Sequence, residues 1–122
     1  MPEKKEKPIT VIQLIKFFKD FRDESDTKVV VDCQGKKYGL GWCERYGENL
    51  LFDSEPDMDF TCSSEAFWND LESNYSKYKN GRRQTLYYRN ESMNLAYNGM
   101  YKVTGVKKYG KRFTLVTEKV ND

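Results

Sequence analysis

The sequence predicts an α+β fold in which two helices pack on antiparallel β-hairpins, with room for an αβββ unit to occur twice. Three observations lead there. Two stretches repeat apolar residues at intervals of three and four, the spacing of a helix with one buried face: Val11, Leu14, Ile15, Phe18 and Phe21, then Phe67, Leu71, Tyr75 and Tyr78. Short β-branched and aromatic stretches, broken by Gly-containing turns, read as strands between and after them. The two hairpins also resemble each other at a spacing of 63 residues: Tyr38, Tyr46 and Gly47 return as Tyr101, Tyr109 and Gly110, and Leu40, Cys43 and Leu50 match Val103, Val106 and Phe113. The second helix does not keep that offset, so chance alignment of two Tyr-Gly hairpins stands beside duplication as an explanation.

The elements follow in order. Residues 1–8 form a charged arm, expected to be flexible, and 9–122 a single domain, a normal size for one hydrophobic core. Thr10 and Gln13 make a capping box, each side chain satisfying a backbone donor of the first turn, with Ile9 and Leu14 placed as the hydrophobic staple. That helix is expected over 10–22, before the turn formers Asp23-Glu24-Ser25-Asp26. Lys28–Cys33 is a strand, Gln34-Gly35-Lys36 a turn, and Lys37–Arg45 with Leu50–Asp53 a hairpin. Ser63 or Ser64 caps a second helix over 64–79, stopped by Asn80-Gly81. Gln84–Arg89 is a strand, Asn90–Asn94 a loop, and Met100–Val106 with Arg112–Lys119 the closing hairpin.

Gly39-Leu40-Gly41 lacks the third glycine of a dinucleotide-binding turn and leads into no helix. It marks a bulge or a close packing instead. Cys33 and Cys43 are expected as small core fillers, and Trp42 and Trp68 as core anchors.

Chemistry is sparse. With no histidine in the chain, the commonest general base, the Ser-His and Cys-His pairs and histidine metal sites are all excluded. Three cysteines with no close pair are neither a disulfide framework nor a zinc spacing. No phosphate-binding glycine loop is present. The reading is a protein that is not an enzyme and uses no cofactor. The charged start has no signal-peptide pattern, and no apolar run approaches the roughly 20 residues that span a bilayer, so a cytoplasmic location without membrane contact is expected.

Charge is strongly segregated although the net value is only +2. Residues 44–72 carry nine carboxylates against Arg45 alone, and residues 77–112 carry ten cations against Glu91 alone. Two candidate surfaces follow. In the first, Asp53, Glu55, Asp57 and Asp59 alternate, so an extended chain would present them on one side. They read as a solvated acidic loop, as a phosphate mimic that binds a basic groove of a protein, or as a hard-cation loop. The last departs from the EF-hand pattern, with Met58 where a glycine and Ser64 where a glutamate belong, and no metal is assigned. In the second, Lys77, Lys79, Arg82, Arg83, Tyr87, Lys107, Lys108, Tyr109, Lys111 and Arg112 interleave cations with aromatic rings. That mix suits single-stranded nucleic acid, the cations holding phosphates and the rings stacking bases; the alternative is a solvated basic face.

The opening T-V-I-Q-L-I-K-F-F-K-D-F, then T-K-V-V-V-D and G-K-K-Y-G, resembles a pattern in small accessory proteins of phages and mobile elements, in which a short helix leads into a strand ending in Asp and a Gly turn. It spans residues 9–41 and carries no catalytic residues. The resemblance implies a small non-enzymatic anti-defence protein, of which anti-CRISPR proteins are one group, acting in a bacterial host cell. With the acidic stretch, it implies inhibition of a host nucleic-acid-handling protein. The alternative is a nucleic-acid-binding module built on 77–112.

Overall fold

A computed structural model describes residues 9–47, 49–55, 57–75, 84–89 and 100–119. The order is α1 (Val11–Phe18), a 3-10 turn (Lys19–Phe21), β1 (Lys28–Cys33), β2 (Lys36–Tyr46), β3 (Asn49–Glu55), a second 3-10 turn (Met58–Phe60), α2 (Ser64–Asn74), β4 (Leu86–Arg89), β5 (Met100–Tyr109) and β6 (Arg112–Lys119). The fold class is α+β as expected. The capping box forms in full: the Gln13 amide donates to Thr10 Oγ1 at 3.2 Å, and the Thr10 amide donates to Gln13 Oε1 at 3.0 Å. Ser63 caps α2, its Oγ accepting from the Ala66 amide at 3.1 Å.

The sheet differs from the expectation. All six strands close into a barrel in the order β1-β2-β3-β4-β5-β6. Four neighbouring pairs are antiparallel, but β1·β6 and β3·β4 are parallel. The parallel β3·β4 pair requires a long crossover, which α2 and the segment after it supply. Closure leaves no strand edge unpaired.

Alternate strand residues fill the barrel. Val29, Val31, Cys33, Leu40, Leu50, Phe52, Leu86, Tyr88, Tyr101, Val103, Phe113 and Leu115 form one cluster with Val11, Leu14 and Phe18 of α1 and Phe67 and Leu71 of α2. Phe18 meets both Phe67 and Phe113 edge-on at 4.9 Å, and Phe67 lies 5.2 Å from Phe52. These rings fix both helices against β3 and β6, in the offset geometry aromatic quadrupoles favour.

Two further expectations are corrected. α2 ends at Asn74, and Tyr75 already has an extended backbone (φ −72°, ψ 130°). The expected Asn80-Gly81 stop lies outside the described residues, as do the arm 1–8 and the loop 90–94. Trp42 is no core anchor: it is 83% exposed. The β2·β3 register slips between Leu40 and Cys43, so Gly41 and Trp42 together oppose Asp53 alone and form a bulge that re-aims the indole outward. Trp68 does pack against the core, its Nε1 donating to the Ile15 carbonyl at 3.1 Å.

Candidate functional site

The closing hairpin carries the densest charge. β5 and β6 pair Lys107 with Thr114, Lys108 with Phe113 and Tyr109 with Arg112, and Gly110 takes the left-handed conformation (φ 59°) that the turn needs. Strand alternation places Lys107 and Tyr109 on one face of β5, and Arg112 directly opposite Tyr109 shares it. The parallel β1·β6 register sets Lys28 beside Arg112, and the Lys28 amide donates to the Lys111 carbonyl at 3.0 Å. One outer face therefore gathers Lys28, Lys107, Arg112 and the ring of Tyr109, which is 61% exposed. Lys111 stands in the turn itself. Lys108 lies at the rim, its Nζ 5.4 Å from the Phe21 ring and 5.9 Å from that of Phe113, a cation–π arrangement that tethers the side chain and keeps its charge. None of these five cations has an ion-pair partner among the described residues.

Of the other basic candidates, Lys77, Lys79, Arg82 and Arg83 lie outside the described residues. Tyr87 is half-buried on β4 and meets Tyr46 edge-on at 6.1 Å, one strand beyond β3. Lys28 escaped the sequence reading because it precedes a strand far away in sequence, and only the parallel closure brings it to the hairpin.

The acidic stretch does not present four equivalent carboxylates. Asp53 Oδ1 accepts from Arg89 Nε at 2.7 Å across the parallel β3·β4 pair, and Glu44 Oε1 accepts from Arg89 Nη2 at 3.3 Å. Glu55 Oε1 accepts from the Asp57 amide at 3.0 Å, and Asp57 Oδ1 from the Asp59 amide at 2.9 Å. The chain leaves β3 after Glu55 and tightens into the 3-10 turn, so the alternation of an extended chain is lost. Asp57 and Asp59 remain exposed. Among the described residues, no three Cys, Asp or Glu side chains converge as metal ligands would.

The thiols are poorly suited to nucleophilic work. Burial, with the Asp70 carboxylate behind it, pushes Cys43 up to about 12, Glu44 contributing as well. Burial and Asp70 likewise push Cys62 up to about 12. The thiolate is the reactive form, and both groups hold their protons at neutral pH. An open cleft of about 270 Å³ between α1 and β5, lined by Ile9, Gln13, Leu14, Phe17 and Val106, contains no ionisable or nucleophilic group. No helix among the described residues is long and apolar enough to cross a membrane.

Comparison of the chain with known protein families, with curated proteins and with solved structures finds no match.

Proposed function

We propose that this chain is a non-enzymatic binding module that holds single-stranded nucleic acid on its closing hairpin. One observation carries the reading: Lys28, Lys107 and Arg112 surround the exposed Tyr109 on a single face with no carboxylate partner. The cations suit phosphates, and an exposed ring among them suits an unpaired base, whatever its identity.

A second support comes from the two halves. We read the chain as two αβββ units, and the registers favour this. Leu40↔Ser54, Cys43↔Phe52, Glu44↔Leu51, Arg45↔Leu50 and Tyr46↔Asn49 have counterparts 63 residues later in Val103↔Thr117, Val106↔Leu115, Lys107↔Thr114, Lys108↔Phe113 and Tyr109↔Arg112. Each helix cap also bridges to the other half, Thr10 to Thr85 and Ser63 to Lys28. In this reading Glu44 and Asn49 occupy the places of Lys107 and Arg112. The fold accepts an anion and an amide there, so the cations serve something other than folding.

The test is fluorescence anisotropy with a labelled 12-nucleotide single strand at 50 and 200 mM salt. About four neutralised phosphates give a log–log salt slope near −3, so affinity should fall about 50-fold over that range. Tyr109→Ala should cost about 1–3 kcal/mol of binding, the usual worth of a stacked base. Binding that survives Lys107→Glu with Arg112→Glu, or no binding at 50 mM salt, sinks the reading.

A second reading keeps the anti-defence role in a bacterial cytoplasm, with the acidic surface occupying a basic groove of a host nucleic-acid-handling protein. The exposure of Asp57 and Asp59 favours it, as does the resemblance over 9–41. Asp53 and Glu55 contribute less, since both are engaged internally. Asp57→Lys with Asp59→Lys should then abolish inhibition of the host protein and leave oligonucleotide binding intact. Inhibition that persists in this double variant rejects the reading.

A further inference from the structure

We infer that Trp42 and Phe60 anchor a protein-docking surface whose partner offers apolar pockets rimmed by lysine and arginine. Trp42 is 83% and Phe60 73% exposed, the two most exposed large apolar side chains among the described residues. Exposed rings of this size contribute little to folding, whereas buried aromatic anchors dominate binding energy at interfaces.

The two rings belong to one locality. The Leu40 amide donates to Thr61 Oγ1 at 2.8 Å, and the Cys62 amide donates to the Leu40 carbonyl at 3.2 Å. The segment bearing Phe60 thus runs along the strand bearing Trp42, and each ring is within two residues of that contact. Both stand on backbone that is held: Trp42 on the bulge, Phe60 in a 3-10 turn whose N-cap Asp57 accepts from the Asp59 amide. Little ordering entropy is lost when such anchors bind.

The bulge does not require an aromatic residue. The matching slip in the second hairpin lies between Val103 and Gly105, and its residue corresponding to Trp42 is Gly105. The indole is therefore additional to the fold.

Charge selects the partner. Neither the strand segment 38–44 nor the segment 49–75 contains a lysine or arginine, while Asp57 and Asp59 flank Phe60 and are exposed. A nucleic acid or an anionic membrane would be repelled. A cationic protein surface with apolar pockets matches both features, and apolar anchoring distinguishes this surface from pure phosphate mimicry. The inference is independent of the basic hairpin.

The experiment titrates the whole chain with two synthetic peptides of equal positive charge, one alternating arginine with leucine and one alternating arginine with serine, following tryptophan emission. The arginine–leucine peptide should bind at least tenfold more tightly, shift the emission to the blue and keep most of its affinity at 0.5 M salt. Trp42→Ala, Phe60→Ala and the pair Asp57→Lys with Asp59→Lys should each weaken it at least tenfold, with unchanged thermal unfolding because all four side chains are exposed. Lys107→Glu with Arg112→Glu should change nothing. Equal affinity of the two peptides, absence of binding, or indifference to Trp42→Ala and Phe60→Ala would overturn the inference. So would self-association of the chain that Trp42→Ala abolishes, since the occupant would then be a second copy.

Discussion

At the scale of single residues, local chemistry is where the sequence is most legible. Thr10 and Gln13 announce their reciprocal hydrogen bonds by type and spacing alone, and both bonds form. Thr10→Ala should cost about 1 kcal/mol, read from denaturant unfolding. Thr114 shows what spacing cannot convey. Its Oγ1 is buried without a hydrogen-bond partner, so Thr114→Val, similar in shape and free of the hydroxyl, should stabilise by about 1 kcal/mol. A stability unchanged or lowered by that substitution would mean that the hydroxyl has found a partner. The thiols give a pH dependence. Cys43 and Cys62 are held near 12 by burial and by Asp70, against an ordinary 9.0, and burial first, with Cys33 and Tyr38 behind it, holds the Tyr101 phenol near 12 against 10.0. Below pH 9 both folded and unfolded chains keep these protons. Between about 9 and 12 the unfolded chain loses them while the folded chain does not, so stability must fall as pH rises through that window. Thermal melts from pH 8 to 11 should show this decline, and it should shrink in Cys43→Ala.

At the scale of elements, strands and helices were readable to within a few residues, but their partners were not. β1 is found over the residues its β-branched run indicates, Lys28–Cys33. Nothing in that run says that its second neighbour is β6, more than 80 residues away, in parallel. The same gap hid the role of Asp53. Read as one of four exposed carboxylates, it is instead the partner of Arg89 across the parallel β3·β4 register, with a side chain only 23% exposed. A charge-assisted hydrogen bond of this kind contributes about 1.5–3 kcal/mol when well shielded, and partial exposure argues for the lower end. Asp53→Ala should therefore cost about 1.5 kcal/mol of stability, and in a double-mutant cycle with Arg89→Ala the two effects should not add. Additive losses would mean that the pair is not coupled. Gly39 was legible as a close-packing position, and the reason is steric: a Cβ there would lie 2.6 Å from the Glu55 carbonyl oxygen. Backbone cannot yield cheaply, so Gly39→Ala should destabilise by about 1–3 kcal/mol, the usual cost of overpacking.

At the scale of the whole molecule, segregated charge was visible in the sequence, whereas its placement on equivalent hairpins needed the barrel. The first hairpin carries Glu44, Arg45, Tyr46, Gly47, Glu48 and Asn49, and the second carries Lys107, Lys108, Tyr109, Gly110, Lys111 and Arg112. Both glycines take positive φ, 63° and 59°, and the strand pairs flanking them share a register. If the halves are equivalent and the cations serve binding, the tips are exchangeable for folding and not for function. The variant that copies the first tip onto the second combines Lys107→Glu, Lys108→Arg, Lys111→Glu and Arg112→Asn. Lys108→Arg keeps a cation over Phe21 and Phe113, where Lys108 now sits. Exposed substitutions typically shift stability by no more than about 0.5 kcal/mol each, so the four together should move it by less than about 2 kcal/mol. Oligonucleotide binding should disappear, since the only surviving cations of the cluster are Lys28 and the new side chain at position 108. The two readouts separate the two ideas. A variant that fails to fold contradicts the equivalence of the halves and leaves binding to be judged on Lys107→Glu with Arg112→Glu. A variant that folds and still binds with the original salt slope shows that the hairpin is not the working surface.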